Sequence, residues 1–75
     1  MKHTTFILKG DHVELNQLLK LVGICDSGGA GKRLVAAGDV AVDGAVELRK
    51  TCKIRAGQTV RIGSIQVDIV AAEAP

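Results

Sequence analysis

The sequence predicts an α+β fold, and three observations carry that prediction. Leu15, Leu18, Leu19 and Val22 repeat at i, i+3, i+4 and i+7, the period of one helical face. Ser27 heads a second helical stretch that starts among glycines and stops at Gly38. From Val40 onward the chain breaks into short runs rich in β-branched residues, separated by Asp43-Gly44, Ala56-Gly57-Gln58 and Gly63-Ser64. The order is therefore one strand, two helices and about four further short strands.

The elements follow in turn. Thr4 to Leu8 is β-branched and apolar and reads as a first strand ended by Lys9-Gly10, after a mobile start that holds His3. Asp11 followed by Glu14 three residues later has the pattern of a capping box, which places His12 in the first turn of the first helix. Gly23 is a natural stop for that helix, and Lys20 near its end suits the dipole. After Ile24-Cys25-Asp26, Ser27 is the N-cap of the second helix.

Glycine inside a helix costs about 1 kcal/mol relative to alanine, so Gly28, Gly29 and Gly31 each need a reason. Gly31 shares a face with Leu34, Val35 and Gly38, which suggests close approach to the first helix. Gly28 and Gly29 leave backbone N–H groups of the first turn open, a place where an anion can sit. Lys32, Arg33, Ala36 and Ala37 project from the remaining face.

Asp43-Gly44 between alternating apolar residues predicts a hairpin joining Val40–Val42 to 45–48. Arg49 to Lys53 continues in extended or loop form, and Ile54 returns to the core. Thr59–Ile62 and Ile65–Ile69 form two more strands around Gly63-Ser64, and 70–75 reads as a frayed end.

The chain's 75 residues make one domain, 1–75, too small to enclose a large active site. Net charge is only +2, but its distribution is uneven. Before Lys32, Lys2, Lys9 and Lys20 balance Asp11, Glu14 and Asp26. Between Lys32 and Arg61, Lys32, Arg33, Arg49, Lys50, Lys53, Arg55 and Arg61 face only Asp39, Asp43 and Glu47. A basic middle in a nearly neutral chain suits a local anionic partner. Phe6 is the one aromatic residue, so recognition by stacking unpaired bases on aromatic platforms is disfavoured.

Other chemistries fit poorly. Gly31-Lys32 in a glycine-rich turn invites a nucleotide-loop reading, but that pattern needs Gly at Asp26 and Ser or Thr at Arg33. The spacing of His3, His12, Cys25 and Cys52 suggests neither a catalytic set nor a zinc site. The two cysteines read as reduced, buried or half-buried thiols of a cytoplasmic protein. Phe6-Ile7-Leu8 is too short for the core of a secretory signal, and no run is long enough to span a membrane.

The sequence also resembles a known family. Ser27, Gly31-Lys32-Arg33-Leu34-Val35, Gly38, Val40, Val42, Asp43-Gly44, Val46, Ile54, Gly57 and Val60 fall in the order of the S4 RNA-binding domain, or alpha-L motif. This domain takes its name from a small-subunit ribosomal protein. It also occurs in tyrosyl-tRNA synthetases, pseudouridine synthases and a heat-shock ribosome-binding protein. The stretches HVELNQLLKL, GAVELRKTCKI and AGQTV extend the likeness over most of the chain, to a stand-alone bacterial form of the domain.

The resemblance implies two antiparallel helices packed on a small, mainly antiparallel sheet of about four to five short strands. RNA would lie across the second helix and the loop after Asp43-Gly44. Carried over by position, Ser27 caps the helix, while the open backbone at Gly28 stands on the glycine reading alone. Lys32 and Arg33 contact phosphates, and Arg49, Lys50 and Lys53 form a second line of contacts. Three positions depart from the family's habit: many members have Arg where Gly28 stands, Ala where Gly31 stands and Asp where Gln58 stands. The expectation is a looser helix start and lower affinity than in a typical member.

The sequence thus points to a monomeric, non-catalytic RNA-binding protein without cofactor or metal. It would grip the phosphate backbone of structured RNA, ribosomal or tRNA-like, with the ribosome or an RNA-modifying complex as possible surroundings. A rival reading is a protein-interaction module that docks on a ribosomal protein or RNA-modifying enzyme through its small alanines and outer strand. A sulfur carrier has a similar strand rhythm but needs a C-terminal Gly-Gly, whereas this chain ends Glu73-Ala74-Pro75.

Overall fold

The computed structural model describes residues 2–72. Strand β1 spans Lys2–Leu8, β2 Val13–Glu14, helix α1 Leu15–Leu21 and helix α2 Gly28–Ala36. Strands β3 (Val40–Val42), β4 (Ala45–Val46), β5 (Lys53–Ile54), β6 (Thr59–Ile62) and β7 (Ile65–Ala71) follow. Five strands form one sheet in the order β1-β7-β6-β3-β4, and β2 with β5 makes a separate two-stranded ladder. All pairs are antiparallel except β1 with β7. The α+β class, with two helices packed on a mainly antiparallel sheet, is as the sequence predicts.

The core follows from the two periodicities. On β6 and β7, Val60, Ile62, Val67 and Ile69 are buried, while Arg61 and Val70 on the alternate positions are exposed. Leu15, Leu18 and Leu19 of α1 and Val35 of α2 are fully buried and belong to the same cluster. Each such side chain stabilises the fold by about 1.5–3 kcal/mol relative to an exposed one.

The start of α1 differs from the sequence expectation. The capping box at Asp11 and Glu14 does not form, and the helix begins at Leu15 with no side-chain cap. Val13 and Glu14 pair instead with Ile54 and Lys53. The Asp11 carboxylate accepts from Arg55 Nη1 at 2.7 Å and lies 3.2 Å from His12 Nδ1. His12 therefore precedes β2 rather than sitting in a helical turn. The first N–H groups of α1 donate to a distant loop: Leu15 N to Cys52 O at 2.9 Å and Asn16 N to Lys50 O at 3.1 Å. Tertiary pairing has replaced a local cap.

Two further expectations are corrected at the edges. His3 is not in a mobile start but in β1, opposite Gln66, with Nδ1 4.0 Å from Asp68 Oδ2. The chain does not fray at Val70: β7 runs to Ala71, and Ala72 N donates to Leu8 O at 3.0 Å. Parallel pairing with β1, which the local pattern cannot reveal, holds both ends. Residues 73–75 of the expected frayed end lie outside the described residues.

Candidate nucleic-acid interface

Helix α2 is built as its sequence requires. Ser27 is extended, and its hydroxyl oxygen accepts from Ala30 N at 3.2 Å, the N-cap hydrogen bond. Gly31 is buried against α1 at a distance only glycine tolerates. A Cβ there would stand 2.7 Å from the backbone oxygen of Asn16. Lys32, the next residue, is exposed beside this contact.

The basic loop is positioned from the other side. Asp43 takes a positive φ of 51° and Gly44 one of 87°, which turns β3 tightly into β4. The Asp43 carboxylate accepts from Thr59 N at 2.9 Å and from Gln58 Nε2 at 3.2 Å, tying the turn to β6. β4 is shorter than the sequence suggests, ending at Val46. The segment that follows leans on α1 through the Lys50 and Cys52 carbonyls described above.

One residue, Asn16, thus joins the two halves of the surface through its two backbone groups. The Asn16 N–H holds the loop at Lys50 O, and the Asn16 side of α1 receives α2 at Gly31. Lys32 from α2 and Arg49, Lys50 and Lys53 from the loop consequently line one open groove of about 690 Å³, together with Leu48. Residues far apart in sequence converge because α1 stands between them as a buttress.

The other bases separate from this group. Arg33, one residue after Lys32, lines a different groove with Asp26 and Asp39. Adjacent helical residues point about 100° apart, so the two side chains leave α2 on different sides. Arg55 is paired with Asp11, and Arg61 Nη2 donates to Gln66 Oε1 at 3.3 Å from the sheet's helix-free face. Of the seven bases between Lys32 and Arg61, the fold gathers four.

Glu47 is a site residue that the charge reading of the sequence passes over. Its carboxylate receives the Arg49 guanidinium as a fork, Nε to Oε2 at 2.9 Å and Nη2 to Oε1 at 3.0 Å. Oε2 also accepts from Arg49 N at 2.9 Å. These side-chain and then backbone hydrogen bonds from Arg49 lower the Glu47 pKa to about 2. The same partner raises that of Arg49. The acid two residues before Arg49 was the available signal, read only as charge. Cys52 also lines the groove, but burial, reinforced by the Glu47 charge, pushes its thiol upward and leaves it a weak nucleophile.

Among the described residues, no group of three or more His, Cys, Asp or Glu is placed to hold a metal ion. No helix among them is long and apolar enough to cross a membrane.

A short α1, a glycine-led α2 pressed against it and a basic loop after a tight hairpin together make an S4-type surface. The S4 domain family model matches residues 6–70, and the chain belongs to this family. Its relatives include the protein YbcJ of Escherichia coli (strain K12). That protein is 56% identical over 68 residues, which cover 89% of this chain and 97% of the relative. A Shigella flexneri protein of the same name, described as uncharacterized, matches equally well. The solution structure of E. coli YbcJ superposes with a TM-score of 0.68 and 51% identity, covering 95% of this chain and 89% of that one. It is described as revealing an alpha-L motif involved in RNA-binding.

Proposed function

We propose that this protein is a non-catalytic RNA-binding protein that holds the phosphate backbone of a folded RNA along the basic groove. The observation that carries the proposal is the convergence of Lys32, Arg49, Lys50 and Lys53 on that groove from two separate elements. Membership of the S4 family and the similarity to a solved alpha-L motif described as involved in RNA-binding support it. Lysines act as mobile point charges and an arginine as a planar fork, a combination suited to phosphates at several distances. Ser27 and Gly28 would shape the start of α2, and Arg33 would contribute only from the flank.

The test is charge reversal at both ends of the groove. Lys32→Glu with Lys50→Glu should leave the circular dichroism spectrum and Tm close to the parent's and greatly weaken binding to an RNA hairpin. For the parent, four phosphate contacts predict a slope of log K against log salt of about −3 to −3.6. Equal hairpin affinity of the double variant and the parent would refute the groove assignment. Salt-insensitive attachment to a protein partner after nuclease treatment would instead favour the docking-module reading.

A further inference from the structure

The four bases of the groove are not equivalent. Among the described residues, Lys32, Lys50 and Lys53 form no side-chain ion pair, while Arg49 is held by both oxygens of Glu47. The holder is the better anchored of the two. The Glu47 side chain is 17% exposed against 77% for Arg49, and Glu47 N donates to Val40 O at 2.9 Å. A guanidinium has five N–H groups in a rigid plane; the fork to Glu47 uses two and Nη2 also donates to Cys52 Sγ at 3.8 Å, leaving the two on Nη1 with a set direction. Beside three flexible ammonium groups, this is the element of the groove whose geometry does not adapt to its ligand.

We propose that Glu47 is a positioning residue that fixes the Arg49 guanidinium, and that preference for folded RNA over a flexible single strand resides in this pair. The inference rests on the groove being the RNA-contact surface. Its physical basis is that mobile lysines follow any phosphate chain, whereas a fixed guanidinium rewards only a backbone that presents phosphate at its open edge. Glu47 also sets a negative charge behind Arg49 at the side of the basic groove, which by itself weakens attraction to every RNA. The two effects have separate signatures. Loss of a neutralising charge strengthens binding to all RNAs and steepens the salt slope. Loss of a positioning group lowers the ratio of hairpin to single-strand affinity.

A double-mutant cycle separates them, because Oε2 of Glu47 also accepts from the backbone N–H of residue 49, which an alanine retains. The parent, Glu47→Ala, Arg49→Ala and the double variant are titrated with an RNA hairpin and with oligo-uridine of equal length. Circular dichroism verifies folding throughout. Glu47→Gln, which keeps an oxygen for the backbone N–H but loses the fork, provides a second probe. The expected result is a parent preference for the hairpin that falls about threefold or more in Glu47→Ala, in Glu47→Gln and in Arg49→Ala, with no further fall in the double variant.

An unchanged ratio in the Glu47 variants overturns the proposal, and so does equal parent affinity for the two RNAs. A fall of the same size when Glu47 is removed from the Arg49→Ala background also overturns it, since the effect would then come from the loop. A parent that binds neither RNA at low salt refutes the groove reading itself, and this inference with it.

Discussion

Gly31→Ala tests whether the two helices are as tightly apposed as the function requires. The added Cβ would sit 2.7 Å from the Asn16 oxygen and 3.4 Å from the Asn16 carbonyl carbon and Cα. Reaching even 3.0 Å needs a shift of 0.3 Å, and ordinary contact at 3.4 Å needs 0.7 Å (3.0 − 2.7 and 3.4 − 2.7). The neighbour is a backbone carbonyl rather than a pliable side-chain end, and the Asn16 N–H is engaged with Lys50 O. Overpacking of this kind costs about 1–3 kcal/mol. Replacing a helical glycine by alanine returns about 1 kcal/mol. The fixed position of Asn16 favours the upper part of that range, for a net loss of about 1–2 kcal/mol. In a chain of this size, each kcal/mol lowers Tm by roughly 4–8 °C. Thermal denaturation followed by circular dichroism measures this directly. The displacement should also move Lys32 away from Lys50 and reduce hairpin affinity. An alanine variant with equal or higher Tm and unchanged RNA binding would refute the claim that this contact sets the groove.

Two further predictions concern the same surface. Ser27→Ala removes the cap to Ala30 N and should cost about 1 kcal/mol in chemical denaturation, with a smaller loss for Ser27→Asp, which can still cap; equal stability of all three proteins would argue against the cap. Glu47 should titrate near pH 2 by carboxyl-detected NMR rather than near its ordinary 4.5. Because its pKa is lowered in the folded protein, the stability it contributes is present above pH 4.5 and is lost as pH falls through about 2. A midpoint near 4.5 would mean that the fork to Arg49 does not persist in solution.

Local chemistry made some of this legible in the sequence. Ser27 as a cap, Gly31 as a packing glycine and Asp43-Gly44 as a hairpin turn each follow from a short-range rule, and each is where that rule puts it. What local chemistry could not supply was partners from afar. The capping pattern at Asp11 and Glu14 was a sound local signal, but Ile54 and Lys53 took the strand and Arg55 took the carboxylate. The β1–β7 pairing that orders His3 and Val70 spans nearly the whole chain, beyond any window of periodicity. Lys32 and Arg33 looked like one basic dipeptide, yet the turn of the helix separates them. Glu47 looked like dilution of a basic segment and is instead the acceptor around which Arg49 is arranged.

These differences share a cause, which bears on how the surface would work. A helix N-terminus capped by its own sequence is independent of the rest of the chain, whereas α1 is capped by the carbonyls of the loop that bears the bases. Disturbing the loop therefore releases donors on α1, and displacing α1 moves both the loop and the seat of α2. The first turn of α1 carries no ligand-facing charge of its own, yet it sets the separation between Lys32 and Lys50. Substitutions that repack Asn16 or Gly31 should alter RNA affinity without touching a basic residue. Exchanges among the exposed lysines should alter it only through charge.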